Sequence, residues 1–270
     1  MSFPSVHTFT SVFNQYMDEP YTSLVSGMVL GVAVPKTLSL YVYFKKTGLL
    51  HLVVLSGSNI NFLVVSTMRA LAFLGKDRAA IISICVVVLF ILFVGPEPPV
   101  VRAGIMSACT LIALLFHRQS IAIFSLLISA LVVLIFKAEW LATISFQLSF
   151  GASLGIILWS PQVQSSPQKG LRGIMQSIKD DMRTTMAAQA VTTPLMMYYF
   201  KEVSLIAPIS NLMVGFLAGP IMMIGIVTMI LGKIHYLLGY IPAKILFICL
   251  YYVCEVTRIL SELPFVYVRF

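Results

Sequence analysis

Charge is scarce in this 270-residue chain. Asp, Glu, Lys and Arg make up 10% of it, ten acids against eighteen bases, for a formal net charge of +8. A soluble globular domain carries about 25% charged residues, so that class is excluded at the outset. The few acids form no paired catalytic carboxylates, and the four histidines are scattered, with no HExxH helix to hold a catalytic zinc. No GxxxxGK[ST] loop is present, which removes a phosphate cradle and with it a nucleotide-driven motor. Cysteine is equally thin. Cys85, Cys109, Cys249 and Cys254 stand singly inside apolar segments without metal-ligand spacing, and they read as small buried apolar residues.

In place of charge the chain has hydrocarbon: 59% of its residues are hydrophobic and its mean hydropathy is +0.96. That composition defines an integral membrane protein. A spanning helix needs about 20 apolar residues, and apolar segments lie near 21–34, 49–74, 79–94, 100–116, 119–136, 141–159, 186–200, 203–232 and 236–260. The first is short, stops at Pro35 and Lys36, and leads into an interfacial helix ending at Lys45 and Lys46. Pro194 predicts a kinked or discontinuous helix in the segment from 186. The expected fold is an all-α polytopic membrane protein of six to eight transmembrane helices, some broken or re-entrant, with residues 1–20 as a polar tail and 21–265 as the membrane domain. Residues 1–20 lack the basic start and apolar stretch of a secretory leader, so the chain is expected to enter the membrane by its own helices.

The longest polar stretch, 160–183, predicts a surface loop with a short amphipathic helix at 173–183. By the positive-inside rule the loops holding Lys76 and Arg78, Arg118, and 169–183 share the cytoplasmic side. The turns GPEPP (95–99), KAEW (137–140) and KEV (201–203) face the other way. Lys45 and Lys46 fall on that less basic side.

Function has to be sought in the polar groups left at membrane depth, where an unsatisfied donor or acceptor costs several kcal/mol. Five clusters stand out. The first is His51 with Ser56, Gly57, Ser58, Asn59 and Asn61. Gly57 is positioned to interrupt the helix, and because Asn59 and Asn61 stand about 200° apart on an ideal helix, only an unwound segment lets both point inward. The second is GPEPPVVRAG (95–104), whose prolines start a helix and whose Arg102 needs water, a carboxylate or a phosphate. The third is SFQLSFGAS (145–153), with Ser145, Ser149 and Ser153 on one face and Gln147 on another. The fourth groups Gln189, Thr192 and Thr193 on the face preceding Pro194, and the fifth is PISN (208–211), ending in Asn211.

Each cluster also has a plainer reading. The serine stripe reads first as a packing surface, the asparagines as interhelical hydrogen-bonding groups, and Arg102 as a snorkelling side chain near the interface. Gly151 to Gly155 spells G-x-S-x-G, yet the strand-to-helix context of a nucleophile elbow is missing and no acid accompanies a histidine, so serine hydrolysis is disfavoured. The same residues, like Gly27 with Gly31 and Gly215 with Gly219, form GxxxG, which serves a homodimer or close packing within one chain equally well. Glu255 and Arg258, at i and i+3, are expected to neutralise each other.

Taken in order, HLVVLSGSNI, VGPEPPVVRAGIM, ISFQLSFGASLGIIL, AQAVTTPLMMYYF and PISNLMVG resemble the transmembrane competence domain of the ComEC family, over roughly residues 20–225. His51, Ser56, Gly57, Arg102, Ala103, Phe146 to Phe150, Ala152, Gln189, Pro194 and Asn211 match position by position. The resemblance implies an inner-membrane channel for single-stranded DNA in natural transformation, located in the bacterial cytoplasmic membrane, with no cofactor. It implies a DNA path through His51, Ser56, Gly57, Ser58, Asn59, Asn61, Arg102, Gln147, Gln189, Thr192, Thr193 and Asn211. It implies as partners single-stranded DNA, the lipid bilayer, and other competence proteins that supply the DNA receptor, motor and nuclease.

Two departures qualify the resemblance. Asn59 stands where the family commonly has histidine, which keeps a hydrogen-bonding group and removes a titratable one. The OB-like and metallo-β-lactamase-like domains of full-length members have no counterpart in this sequence, which contains no HxHxDH cluster, so this chain is expected to be a competence-domain-only member or a fragment without nuclease activity of its own. The alternative function is transport of a small polar or anionic solute, which would use the same broken helices.

Overall fold

In the computed structural model, which describes residues 6–160, 171–263 and 267–269, glycine and proline cut the chain into α-helices. Helices α1 (Val6–Asn14), α2 (Tyr21–Leu30), α3 (Ser39–Lys46), α4 (Leu50–Val53) and α5 (Gly57–Ala70) are all short. Helix α6 (Lys76–Val94) lies between Gly75 and Gly95, whose φ of +91° and +107° suit glycine. Helix α7 (Pro98–Leu115) starts on proline, whose fixed φ and missing N–H fit the first helical position. Helix α8 (Ala122–Lys137) runs on as a 3-10 turn to Ala142, and α9 (Ile144–Trp159) is capped by Thr143. After α10 (Leu171–Phe200) come β1 (Glu202–Ser204), α11 (Ala207–Val214), α12 (Ala218–Ile234), α13 (Tyr236–Ser261) and β2 (Tyr267–Arg269).

Five stretches are long and apolar enough to cross a membrane: α6, α7, α8 with its 3-10 extension, α11 joined to α12, and α13. Helices α2 and α9 are apolar but shorter. The protein is all-α and polytopic, and its two strands form one three-residue antiparallel pair in which Val203 opposes Val268.

The short α2 sits where lipid cannot reach it. Leu24, Val25 and Val29 are fully buried, packed among α1, α4, α12 and α13. A helix of ten residues is tolerated at membrane depth when protein, and not hydrocarbon, meets its ends. At its C-terminus Gly31, with φ +72°, turns the chain so that the Gly31 and Val32 N–H groups donate to the Gly27 and Ser26 carbonyls.

Several sequence expectations change here. Residues 1–20 were expected to form a polar tail, but α1 packs on α2 and α12 and buries Phe13 completely. The segment 49–74 is interrupted, since the chain is extended at Val54 and Ser56 between α4 and α5. The amphipathic piece at 173–183 and the segment from 186 are one helix that runs through Pro194 without ending, so no discontinuity arises there. Residues 161–170 of the expected loop lie outside the described residues. Of the cysteines only Cys254 is buried, whereas Cys85 is exposed.

The three GxxxG pairs are taken up inside the chain. A Cβ on Gly155 would collide with the Ala187 carbonyl oxygen of α10, one on Gly27 with the Val53 carbonyl, and one on Gly219 would lie 2.9 Å from the Phe62 ring. Each pair thus contributes at least one glycine to close packing within the chain.

At the end of the bundle marked by β1 and β2, Lys45 bonds Glu202 at 2.6 Å and its ammonium stands 5.9 Å from the Tyr267 ring. The hydrogen bond to Glu202 holds the Lys45 pKa above its ordinary value. A raised lysine pKa contributes stability that is complete below the ordinary lysine value and is lost only as pH climbs through the raised one. Lys45 is partly exposed, so the pair is worth less than about 1 kcal/mol. Lys45→Ala is thus expected to lower the melting midpoint in detergent by about 3 °C or less, equally at pH 7 and pH 9.

Candidate polar site at the α4–α5 break

The break between α4 and α5 follows from its residues. Leu55 anchors it in the core, and Ser56, in an extended conformation (φ −111°, ψ 166°), stands at the N-cap of α5. Serine is among the residues that favour this position. Its hydroxyl does not cap the helix; it pairs with the Ser58 hydroxyl at 2.6 Å and reaches the Asn59 Oδ1 at 3.4 Å. The first N–H groups of α5, at Gly57 and Ser58, therefore have neither an intrahelical acceptor nor a side-chain cap.

Arg102, in the second turn of α7, points at this helix end. It is only 7% exposed. Its Nε donates to Ser149 Oγ at 3.0 Å, and its Nη1 donates to Ser153 Oγ and to the Met106 sulfur at 3.2 Å. The remaining amino group, Nη2, lies so close to Gly57 that a Cβ there would come within 2.8 Å of it. Glycine at 57 leaves room for the approach of the guanidinium, and the helix break falls just before it. Among the described residues the ion pairs are Lys45 with Glu202 and Arg258 with Glu255, so Arg102 has no carboxylate partner there.

The serine stripe was read first as packing. Ser149 and Ser153 are instead the acceptors that orient Arg102, while Ser145 is exposed. A buried arginine needs acceptors, and an i, i+4 serine pair was the available signal. Arg102 does not snorkel.

Asn59 and Asn61 part company. Because residues 57–70 are regular helix, Asn59 is 3% exposed and Asn61 is exposed on another face, so the expectation that both point inward through an unwound segment is corrected. Asn59 Nδ2 donates at 2.9 Å to the Met28 carbonyl, in the last turn of α2, where no backbone N–H is in place to serve it.

On the other side of the break, His51 is solvent-accessible and its Nδ1 donates to the Gly48 carbonyl at 3.1 Å. Asn211 Nδ2 donates to Thr185 Oγ1 at 2.8 Å. Thr185 was not anticipated. His51 and Ser56 are five residues apart, at most about 18 Å, so the two polar groups lie along one stretch of chain.

The remaining expected residues are placed elsewhere. Gln147 accepts from the Tyr199 hydroxyl at 2.6 Å, joining α9 to the end of α10. Thr192 bonds back to the Ala188 carbonyl, and neither Gln189 nor Thr193 hydrogen-bonds any described residue, so the structure does not tie this trio to Arg102. No group of three or more His, Cys, Asp or Glu able to hold a metal occurs among the described residues.

The residues that build the site, from Met28 in the last turn of α2 to Asn211 in α11, fall inside the stretch 28–270 matched by the sequence profile of the Competence protein family. The chain belongs to the Competence protein family. It is similar to ComE operon protein 3 of Bacillus subtilis (strain 168), with 26% identity over 213 residues. That alignment takes in 76% of this chain and 26% of the relative, so this competence-family chain spans about a quarter of that relative's length. No solved structure matches it.

Proposed function

We propose that this competence-family protein is an inner-membrane conduit for single-stranded DNA, serving DNA uptake in natural transformation. What supports the reading is family membership together with one observation: a buried guanidinium, held by two serines, that has no carboxylate partner among the described residues and faces a polar break in the helices. A DNA strand carries one phosphate charge per nucleotide, and crossing about 30 Å of hydrocarbon requires donors in place of lost water. Serine, asparagine and glutamine offer such donors without holding the strand fast, and a single arginine gives anion preference without stalling it. Glycine lets the backbone take part, as broken helices do in transporters. Other competence proteins supply the receptor, the motor and the nuclease, since the sequence has no nucleotide-binding loop.

The test follows labelled DNA into the cytosol of the native host, comparing wild type, a deletion, and Arg102→Ala at equal protein abundance. The deletion is expected to take up none, and Arg102→Ala at least about tenfold less than wild type, as for loss of a charged hydrogen-bonding group. Undiminished uptake in the deletion overturns the reading and leaves transport of a small polar or anionic solute.

A further inference from the structure

Positive charge converges at the start of α5 with nothing opposite it. The N-terminus of a helix carries about half a positive elementary charge, and the Arg102 guanidinium, 93% buried by its 7% exposure, is pressed against that same end. Bringing a cation to a helix N-terminus is unfavourable, and taking it out of water without a counter-charge costs several kcal/mol more. Ser149, Ser153 and Met106 satisfy its Nε and Nη1 hydrogens, but they are neutral and leave the charge uncompensated. Its Nη2 donates to no described residue, nor is it among the sealed, unpartnered polar atoms. The local charge is short by one anion.

From this imbalance we infer that the α5 N-terminus and Arg102 form a binding site for one phosphodiester group. Arg102 Nη2 and the N–H groups of Gly57 and Ser58 supply the donors. Uncapped backbone N–H groups at a helix start are suited to phosphate oxygens, and arginine matches the same oxygens in charge and geometry. Ser58 is exposed and Ser56 and Gly57 are half-buried, so a ligand has access. A Cβ at Gly57 would stand 2.8 Å from Nη2 and 3.2 Å from the Ala103 Cβ, so any larger residue there displaces the guanidinium from the helix end. The site rests on the DNA-conduit reading for the identity of its ligand: it is where a strand's phosphate pauses.

The experiment uses the full chain purified in a neutral maltoside detergent, with fluorescent oligothymidylate, the same oligomer with an uncharged methylphosphonate backbone, and inorganic phosphate as a competitor. Wild type is expected to bind the phosphodiester oligomer, to ignore the methylphosphonate one, and to lose affinity as salt rises. Arg102→Gln and Gly57→Ala are each expected to weaken binding at least about tenfold, with elution and melting curves showing that each remains folded. Should Gly57→Ala fail to fold, Arg102→Lys, which keeps the charge and loses the planar fork, takes its place with a smaller expected loss. Equal binding of the two oligomers, or no effect of Arg102→Gln, overturns the site. If uptake in cells depends on Arg102 while the purified protein shows no phosphodiester binding, the site falls and the conduit reading stands. If inorganic phosphate binds through Arg102 and DNA does not, a phosphodiester site is overturned in favour of a free-phosphate one.

Discussion

Gly155→Val is expected to push α9 away from α10 and to destabilise the protein by about 3 kcal/mol or more, the upper range for overpacking. Even the first added carbon would run into the Ala187 carbonyl oxygen, and the same Cβ would stand 3.1 Å from a Val191 methyl. Backbone cannot swing aside as a long side chain does, so the helices must separate. Gly151, one turn earlier, lies on the same close-packed face, where an added Cβ would stand 3.0 Å from Val191, and it would be drawn along. The separation reaches function through Ser149 and Ser153, which lie on the same helix and orient Arg102. Gly155→Ala should cost about 1–2 kcal/mol, and Gly155→Val should in addition abolish DNA uptake even at matched abundance. Thermal unfolding in detergent, monitored by elution as a single species, measures the first effect. Wild-type stability in Gly155→Val would show that α9 and α10 are not in contact at this point.

How much of this was legible beforehand depends on how far apart the cooperating residues lie in the chain. Composition alone is enough for an all-α membrane fold, because 59% hydrophobic residues leave no other solvent for the chain. The polar motifs were visible one at a time, since a serine, asparagine or arginine in an apolar run is conspicuous. Their pairing was not. Gly57 looks like a helix breaker until Arg102 is found against it, and nothing in the 44 intervening positions announces that contact. The serines on α9 have the same spacing whether they face a neighbouring helix or a guanidinium. Local rules also misjudged what tertiary packing overrides: Pro194 lies inside a continuous helix, and α1 folds onto the core because Phe13 finds a place between α2 and α12. The opposite fates of Asn59 and Asn61 follow from helical geometry, once the break is known to precede both.

Asn59→Leu is expected to cost about 2–3 kcal/mol, although it puts an apolar residue into an apolar surrounding. The reason lies in α2. Its last carbonyls have no helical partner, and Gly31 and Val32 serve only those of Gly27 and Ser26. The Met28 carbonyl depends on the Asn59 side chain at 2.9 Å. Leucine fills the space and removes the donor, leaving a buried acceptor unsatisfied, a loss of about 1–3 kcal/mol where no water can replace it. Asn59→His separates that explanation from simple packing. A neutral imidazole has an N–H to give to the same carbonyl, so the variant should recover part of the stability that leucine loses. The recovery should fade as pH falls below about 6.5, where the ring gains a proton that this buried position disfavours. Melting midpoints for the three proteins at pH 8 and pH 5.5 provide the measurement. If leucine proves as stable as asparagine at both, the Asn59–Met28 bond does not hold α5 to α2, and Asn59 would need a role on the proposed DNA path instead.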